Sequence, residues 1–401
     1  MRQVSDDERR RRLARRHALA PAYRADGPEA ATRAMTVLHA TEAPSVYLSL
    51  WARVDGLTVA DVDRALYDDR TLVKQLAMRR TLFVFPRDLL PAAWGSASAR
   101  VAAAHRVRLA KDVEAGGLTA DGAAWVDAAE LAVLAHLAGG AERSAQQLRE
   151  EVPELAGRIE MSPGKSYGGN NPIAPRVLTQ LGVEAKIVRG RNGGHWRTAR
   201  PQWTAMATWL GEVPEPAKER EGYAELVRRW LVTFGPGTEA DIVWWLGATK
   251  GAVRAALADV GAVEVGLDGA GLDGRGTGWL LADDPLLSGP EPEVEPWGAL
   301  LPVLDPTVMG WKAREFYLGP HGPMLFDTNG NAGTTAWWDG RIVGCWVQDP
   351  DGVVVLNVLE DVGSGARAAL EAEAARLTSW LEGHRVSTVY PSIAMKEAVR
   401  P

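Results

Sequence analysis

The apolar residues of the first hundred positions recur with the spacing of α-helices and then alternate as in a strand. Helical spacing extends over 28–38 and over 44–54, with a break at 39–43. A third helix is expected from Thr58, because threonine is a common cap of helix N-termini. The alternating segment 78–86 predicts a strand. Together these elements predict a helix-turn-helix module closed by a β-element.

The same order is predicted a second time farther along the chain. This copy has helices over 127–137, after Ser144 and over 172–182. Strands over 184–191 and 195–200 follow, joined by an Asn-Gly-Gly turn that is typical of a hairpin. Three helices followed by a hairpin are the order of a winged helix.

A third copy follows a proline-rich linker. Between its two strands, residues 269–274 match Gly-x-Gly-x-x-Gly, but a strand comes next where a dinucleotide site requires a helix, so we interpret this segment as a wing loop. The predicted elements are helices over 223–234, 238–246 and 250–260 and strands over 262–267 and 278–282.

The last hundred residues carry turn dipeptides between short alternating segments. They predict an antiparallel meander over 324–359, a helix over 366–381 and a last strand over 386–390. We therefore predict an α+β protein of tandem winged-helix modules with a C-terminal β-rich domain. The four predicted domains are a first module with a basic N-terminal arm (1–120), a second module (121–212), a third module (222–284) and the C-terminal domain (296–401).

Composition narrows the class of protein. The 401 residues are 46% hydrophobic and 24% charged, which is enough apolar material for several buried cores. No apolar run is long enough to span a membrane, and the N-terminus is a run of charges, so neither a membrane partner nor secretion is expected. The single cysteine, Cys345, fits a reducing compartment. We expect a monomeric cytoplasmic protein associated with the nucleoid.

The net charge of −6 conceals an asymmetry between the halves of the chain. Residues 1–200 hold 30 basic and 23 acidic residues, a net charge of +7, whereas residues 201–401 hold 15 and 28, a net charge of −13. The basic residues are 37 arginines and 8 lysines. The codon usage of a GC-rich genome explains this arginine excess as well as phosphate binding does, but it explains the asymmetry less readily. We therefore expect double-stranded DNA as the partner of the basic half.

Arginines concentrate at the predicted wing of the second module and at the strand of the first. Wings reach DNA phosphates or the minor groove, and the helix before a wing is placed for the major groove. A solvated basic hairpin with no partner is the alternative. Lys165 lies before that helix, and the predicted DNA-binding residues are Arg79, Arg80, Arg176, Arg189, Arg191 and Arg197.

Motifs for metal, cofactor or nucleotide chemistry are missing from the sequence. The seven histidines show no zinc-binding spacing, and neither a phosphate-binding loop nor a Gly-x-Ser-x-Gly elbow occurs. We therefore predict that the protein uses no metal and no cofactor.

The break at 39–43 holds the most informative residues, His39 and Thr41. In a continuous helix their side chains would point about 200° apart, so they share a site only if the helix ends there. Glu42, Ala43 and Pro44 favour that ending, because proline disfavours the helical conformation of the residue before it. The alternative is structural: Thr41 caps the next helix, and His39 is a hydrogen-bonded core histidine.

Five segments, in the right order and spread over the chain, resemble those of the AlkZ/YcaQ family of winged-helix DNA glycosylases. The first reads LHATEAPSVYLSLWAR and is similar to a family segment that begins Leu-Gln-Ala-Gln. The resemblance implies three tandem winged-helix modules and a C-terminal β-rich domain around a basic DNA-binding concavity. The segments are 38–53, 78–82, 240–247, 325–331 and 340–344.

The resemblance also implies a function, the excision of alkylated purines and, in some members, the unhooking of interstrand crosslinks. The family's Gln-x-Gln or Gln-x-Asp pair lies where His39 and Thr41 stand here. An N7- or N3-alkylated purine is already a good leaving group, so the enzyme mainly positions water and stabilises the sugar cation. A neutral imidazole can accept the proton of that water, and a hydroxyl can orient it.

The sequence therefore predicts a monofunctional DNA N-glycosylase for alkylated or bulky purine adducts, with His39 activating water and Thr41 positioning it. One alternative is a non-catalytic winged-helix regulator or sensor that binds DNA without the glutamine pair. Another is a protein that sequesters a small natural product beside Trp337, Trp338 and Trp346, although these tryptophans are expected to be core residues.

Overall fold

A computed structural model describes residues 1–161, 169–268 and 275–398 of the chain. In these ranges the α-helices are α1 (Asp6–Arg16), α2 (Pro28–Ala34), α3 (Ala43–Trp51), α4 (Val59–Asp63), α5 (Leu90–Ala93), α6 (Ala99–Ala115), α7 (Gly122–His136), α8 (Ala145–Glu151), α9 (Ala174–Val183), α10 (Met206–Leu210), α11 (Glu219–Phe234), α12 (Glu239–Leu246), α13 (Lys250–Asp259), α14 (Pro306–Met309), α15 (Glu315–Leu318), α16 (Gly322–Leu325), α17 (Gly363–Leu381) and α18 (Ile393–Ala398). The strands there are β1 (Gln3–Val4), β2 (Leu38–His39), β3 (Leu72–Leu76), β4 (Leu82–Pro86), β5 (Arg158–Met161), β6 (Gly169–Pro172), β7 (Ile187–Asn192), β8 (Pro201–Ala205), β9 (Val263–Asp268), β10 (Arg275–Leu280), β11 (Gly298–Leu301), β12 (Thr335–Trp338), β13 (Arg341–Gln348) and β14 (Val354–Val358).

The chain forms two compact units, one of residues 1–65 with 224–401 and the other of residues 66–223. The predicted α+β class is confirmed. The finer division into four domains stays a prediction. No described helix is long and apolar enough to cross a membrane.

The first unit contains the third predicted helix-and-hairpin copy with nearly the expected bounds. Helices α12 and α13 begin behind Thr238 and Thr249, whose hydroxyls accept hydrogen bonds from backbone N–H groups of the first turn. Strands β9 and β10 pair antiparallel, and β1 adds a parallel strand beside β9 that the sequence did not predict. The predicted wing loop 269–274 lies outside the described residues.

The C-terminal sheet of this unit has the antiparallel order β11-β12-β13-β14, and α17 packs against β11 and β14. The predicted meander is correct from residue 335 onward, and β11 was not predicted. The strand expected over 386–390 is wrong, because side chains take the place of a ladder partner there. The backbone N–H of Val386 donates to Gln348 Oε1 at 2.8 Å, and that of Val389 donates to Glu42 Oε1 at 2.7 Å.

Several tryptophans lie in the core of this unit; of those that the sequence predicted to be core residues, Trp337 and Trp346 are buried and Trp338 is half-buried. Trp230 and Trp337 are fully buried, and Trp245 and Trp346 are nearly so. Trp230 and Trp311 donate their indole N–H groups to the backbone oxygens of Gly310 and Phe234. Burial with satisfied N–H groups explains these positions without any stacking on bases.

The basic N-terminal arm is a packed helix rather than a free arm. Ser5 and Glu8 form a capping box at the start of α1. Arg12 is 2% exposed and donates to Asp284 Oδ2 at 2.7 Å, to Glu291 Oε2 at 3.0 Å and to the backbone oxygen of Gly235 at 2.9 Å. These N-terminal charges therefore neutralise acidic residues of the second half of the chain.

A buried ion pair lies at the C-terminal end of α3. The guanidinium of Arg53 makes two hydrogen bonds to the carboxylate of Asp305, at 2.8 and 2.9 Å, and both side chains are fully buried. Ser49 donates to Asp305 Oδ2 at 2.7 Å. Burial would raise the pKa of Asp305, but Arg53 and these hydrogen bonds outweigh it and lower that pKa.

His17 extends this buried cluster. Its Nδ1 lies 2.9 Å from Thr307 Oγ1 and its Nε2 lies 3.2 Å from the backbone oxygen of Thr233. Full burial, together with the charge of Arg53, lowers the pKa of His17 to about 3. The imidazole is therefore neutral in the folded protein over the physiological pH range.

The second unit begins with the β3–β4 hairpin, of which the sequence predicted only the second strand. The predicted strand 78–86 starts at Leu82 instead, because Arg79 and Arg80 adopt left-handed backbone conformations with φ of +55° and +58° and form the turn. Strand β3 pairs with β4 from Leu72 to Leu76.

The second unit also contains a helix-and-hairpin copy. It consists of α7, α8, α9, β7 and β8. Strand β8 begins at Pro201, so the strand predicted over 195–200 is wrong. The side chain of Asn192 instead holds residues 193–200 as a loop through hydrogen bonds to the backbone, including one from Arg200 N at 2.7 Å. An unpredicted antiparallel pair of strands, β5 and β6, lies between α8 and α9.

The buried ion pair predicts a large effect of a single substitution. Arg53→Met leaves the Asp305 carboxylate buried without its counter-charge, so it should lower the free energy of unfolding by about 3–5 kcal/mol. Arg254→Met is the matched control, because Arg254 forms an exposed pair with Glu239 and its loss should leave stability close to wild type. Urea unfolding of both variants measures the difference, and equal midpoints would contradict the prediction.

His17 predicts a specific pH dependence of stability. The unfolded chain binds a proton at His17 below the ordinary pKa of 6.5, whereas the folded chain does so only near 3. Stability is therefore complete above pH 6.5 and falls as the pH drops toward 3. From about pH 7.5 to 5, wild type should lose about 2 kcal/mol more than His17→Gln in urea unfolding. Parallel pH profiles of wild type and His17→Gln would refute this.

Candidate active site and DNA-binding surface

The segment around His39 is not helical. Helix α2 ends at Ala34, β2 ends at His39, and α3 begins at Ala43 with Pro44 in its first turn. The helix therefore ends before His39 and Thr41. This is the condition under which the sequence analysis expected the two side chains to share a site. His39 is 7% exposed and Thr41 is exposed.

Glu42 is a candidate residue that the sequence analysis did not single out. Its Oε1 accepts hydrogen bonds from Thr388 Oγ1 at 2.9 Å and from Val389 N at 2.7 Å. Its Oε2 is buried and has no hydrogen-bond partner among the described residues. Burial raises the pKa of Glu42 despite these two hydrogen bonds.

The position of Glu42 next to the predicted helix start is the one signal in the sequence that could have drawn attention to it. Glu42 occupies the N-cap position of α3, where Ser, Thr, Asp or Asn is usual, and its side chain does not cap the helix. The carboxylate of Glu42 is therefore directed away from the backbone N–H groups at the start of α3.

A basic cleft of about 800 Å³ lies within the second unit. The predicted residues Arg79 and Arg80 line it from the hairpin turn, and both are exposed. Arg100 and Arg108, eight residues apart on α6, line it from the other side. The sequence analysis missed these two, although a spacing of eight places both on one helical face.

His105 also lines this cleft and is held in place by the fold. Its Nδ1 lies 2.8 Å from Gln180 Oε1, and burial lowers its pKa. A neutral imidazole adds no charge to the cleft, so its charged lining residues are the four arginines and Glu219.

The four other predicted DNA-binding arginines differ in their availability. Arg191 is exposed and pairs with Asp68, and the Nε of Arg197 donates to His195 Nδ1 at 3.1 Å. Arg176 pairs with Asp112 and is largely buried. Arg189 stacks over Trp203, 5.2 Å from the ring centroid, and burial lowers its pKa. Lys165 lies outside the described residues.

The described ranges contain no group of three His, Cys, Asp or Glu side chains arranged to hold a metal ion.

A family model described as "DNA glycosylase AlkZ-like" matches residues 32–380. The chain therefore belongs to the AlkZ-like DNA glycosylase family, a class of DNA-binding repair proteins that hydrolyse N-glycosyl bonds. The solved structure of the Streptomyces sahachiroi DNA glycosylase AlkZ has a similar fold, with 20% identity, coverage of 94% of this chain and 98% of that one, and a TM-score of 0.70. No curated protein matches the sequence of the chain.

The basic cleft predicts how DNA affinity responds to charge. Replacing both Arg79 and Arg80 by Glu should weaken binding to duplexes of any sequence and reduce the slope of log affinity against log salt by about one unit per lost phosphate contact. The measurement is fluorescence anisotropy over a salt series. Arg367→Glu, an exposed reversal on α17, should leave the slope unchanged. A slope equal to wild type in the double variant would exclude these contacts.

Proposed function

We propose that this protein is a monofunctional DNA N-glycosylase that releases N7- or N3-alkylated purines or bulky purine adducts from double-stranded DNA, with crosslinked purines as a further substrate class. The match of the family model over 32–380 carries this proposal. The matched range includes the non-helical segment from His39 to Glu42.

His39 acts as the water activator in this proposal. The alkylated base carries a positive charge and leaves readily, so the main requirements are a positioned water and a negative or polar environment for the sugar cation. An imidazole near neutral pH accepts a proton from water, and the exposed hydroxyl of Thr41 orients that water. The extended backbone at 38–39 and the bend that follows it support a shared site for the two residues.

DNA phosphates are bound by the second unit in this proposal. Arg79, Arg80, Arg191 and Arg197 are the principal contacts, joined by Arg100 and Arg108 of the cleft. We expect smaller contributions from Arg176 and Arg189, because their guanidinium groups are already engaged with Asp112 and Trp203. Phosphate contacts fix the protein on the duplex without reading its sequence.

A non-catalytic DNA-binding regulator or sensor is the second candidate function. His39 and Thr41 favour it. The sequence resemblance places them where the family has a glutamine-containing pair, and neither of them is a glutamine. Such a protein would give a sequence-specific footprint and release no base.

Base release under single-turnover conditions tests the catalytic proposal. Wild type should free 7-methylguanine from a methylated duplex, and His39→Ala should slow release by about 100-fold or more, the range for loss of a general base. Thr41→Ala should have a smaller effect. The double replacement His39→Gln with Thr41→Gln, which restores the family pair, should retain activity.

His321→Ala is the matched control, because it removes an imidazole of the same unit that is paired with Glu360. It should release base at the wild-type rate. Absence of release by wild type, or equal rates for wild type and His39→Ala, would refute the proposed role.

A further inference from the structure

His105 lies on α6, in the wall of the basic cleft of the second unit. The residue is 6% exposed, so most of the ring is packed inside the unit and the remainder reaches the cleft. Arg108 follows three residues later and therefore lies on the same face of the helix. An anion bound in the cleft would meet this imidazole as well as the arginines.

The hydrogen bonds of Gln180 determine which nitrogen of His105 carries the proton. The Nε2 amide group of Gln180 donates to the backbone oxygen of Ala102 at 3.2 Å and to Glu184 Oε1 at 2.6 Å. The Oε1 of Gln180 therefore accepts a hydrogen bond from His105 Nδ1, at 2.8 Å, and this is the only hydrogen bond of the ring to a described residue. A neutral imidazole has a proton on one nitrogen only, so Nε2 of His105 carries a lone pair.

The surroundings of His105 favour the neutral ring in the free protein. Burial lowers its pKa below the ordinary 6.5, and the charges of Arg80 and Arg176 lower it further. The hydrogen bond to Gln180 and the charge of Asp112 act in the opposite direction and do not outweigh burial. The charged residues that line the cleft, or that face this part of α6 from the elements packed against it, are Arg79 and Arg80 on the hairpin turn, Arg100, Arg106, Arg108 and Asp112 on α6, Asp127 and Glu130 on α7, Arg176 and Glu184 on α9, and Glu219 at the start of α11.

A phosphate bound in the cleft would change this balance. A phosphodiester of DNA carries one negative charge, and its oxygens accept hydrogen bonds. An unprotonated Nε2 cannot donate to it, whereas a protonated Nε2 donates a charge-assisted hydrogen bond. A phosphate beside His105 therefore raises the pKa of the ring, and by linkage the ring takes up a proton when DNA binds.

We propose that His105 is a proton-dependent phosphate contact of the cleft: when duplex DNA binds, Nε2 takes up a proton from solvent and donates a hydrogen bond to a backbone phosphate. The affinity for DNA then increases as the pH falls, through a residue that is neutral in the free protein. The inference rests on the proposed function, because it requires that the second unit binds DNA phosphates. It concerns binding alone and is independent of His39 and Thr41.

Fluorescence anisotropy of the full chain with an undamaged duplex tests the pH dependence. At constant ionic strength, wild type should bind about tenfold more tightly at about pH 5.5 than at about pH 7.5, the effect of a difference of about one unit between the pKa values of the ring in the bound and free protein. His105→Gln has no titrating ring, so most of this dependence should disappear.

Two observations guard against an indirect effect of the substitution. Glutamine retains an amide N–H for the bond to Gln180, and thermal unfolding verifies that His105→Gln is folded. His136→Gln is the matched control, because His136 is an imidazole of the same unit that pairs with Glu151 and does not line the cleft. Its pH profile should follow that of wild type.

Isothermal titration of the protein with the same duplex counts the protons directly. The heat of binding is compared in two buffers of different ionisation enthalpy near neutral pH, and the difference gives the number of protons taken up. We expect wild type to take up about half a proton or more per bound protein, because the ring is largely neutral before binding and largely protonated after it. His105→Gln should take up clearly less.

The outcomes separate this inference from the proposed function. Equal pH profiles of wild type and His105→Gln, or DNA binding without proton uptake, would overturn the role of His105. If base release from alkylated DNA persisted in that case, the glycosylase would stand without it. Proton-linked binding that His105→Gln removes, in a protein that releases no base, would support the role of His105 and contradict the glycosylase.

Discussion

The buried ion pair between Arg53 and Asp305 determines the geometry on which the proposed site depends. Taking two charges out of water is costly, and here the cost is offset by two hydrogen bonds between the partners and by further bonds from Ser49 and to Thr307. The pair fixes α3 against the segment that follows β11. Nearer the His39 segment, Ser45 Oγ donates to the backbone oxygen of Val303 at 2.9 Å and holds the first turn of α3 against the same segment. Val303, two residues before Asp305, lines a cavity beside Glu42.

The folded structure changes the interpretation of the charge asymmetry between the two halves of the sequence. The basic first half and the acidic second half are not simply a DNA-facing part and a scaffold, because Arg12 of α1 is buried against Asp284 and Glu291 within one unit. Arg79, Arg80, Arg100 and Arg108 form a basic cluster at the cleft of the second unit. In the proposed function, electrostatic attraction to DNA therefore depends on these arginines more than on the net charge of either half.

Local patterns in the sequence predicted much of the fold. The third helix-and-hairpin copy was correct within a few residues because capping threonines and apolar periodicity are local properties, and the family resemblance was confirmed. Strands β1 and β11 were missed because they are short and their pairing partners are distant in sequence. The strand over 386–390 was wrong because Glu42 and Gln348, both distant in sequence, bind its backbone. The contacts of Glu42 were missed for the same reason, since the groups that bind its carboxylate, Thr388 and Val389, are distant in sequence.

The central claim is that this chain breaks an N-glycosyl bond with His39 in the reacting site. The most direct measurement is mass spectrometry of the products formed from a duplex with one 7-methylguanine, by wild type and by His39→Ala. The account predicts free 7-methylguanine and an abasic strand in equal amounts with wild type, and neither above background with His39→Ala over the same time. Intact DNA with wild type, or the same products from both proteins, would contradict it.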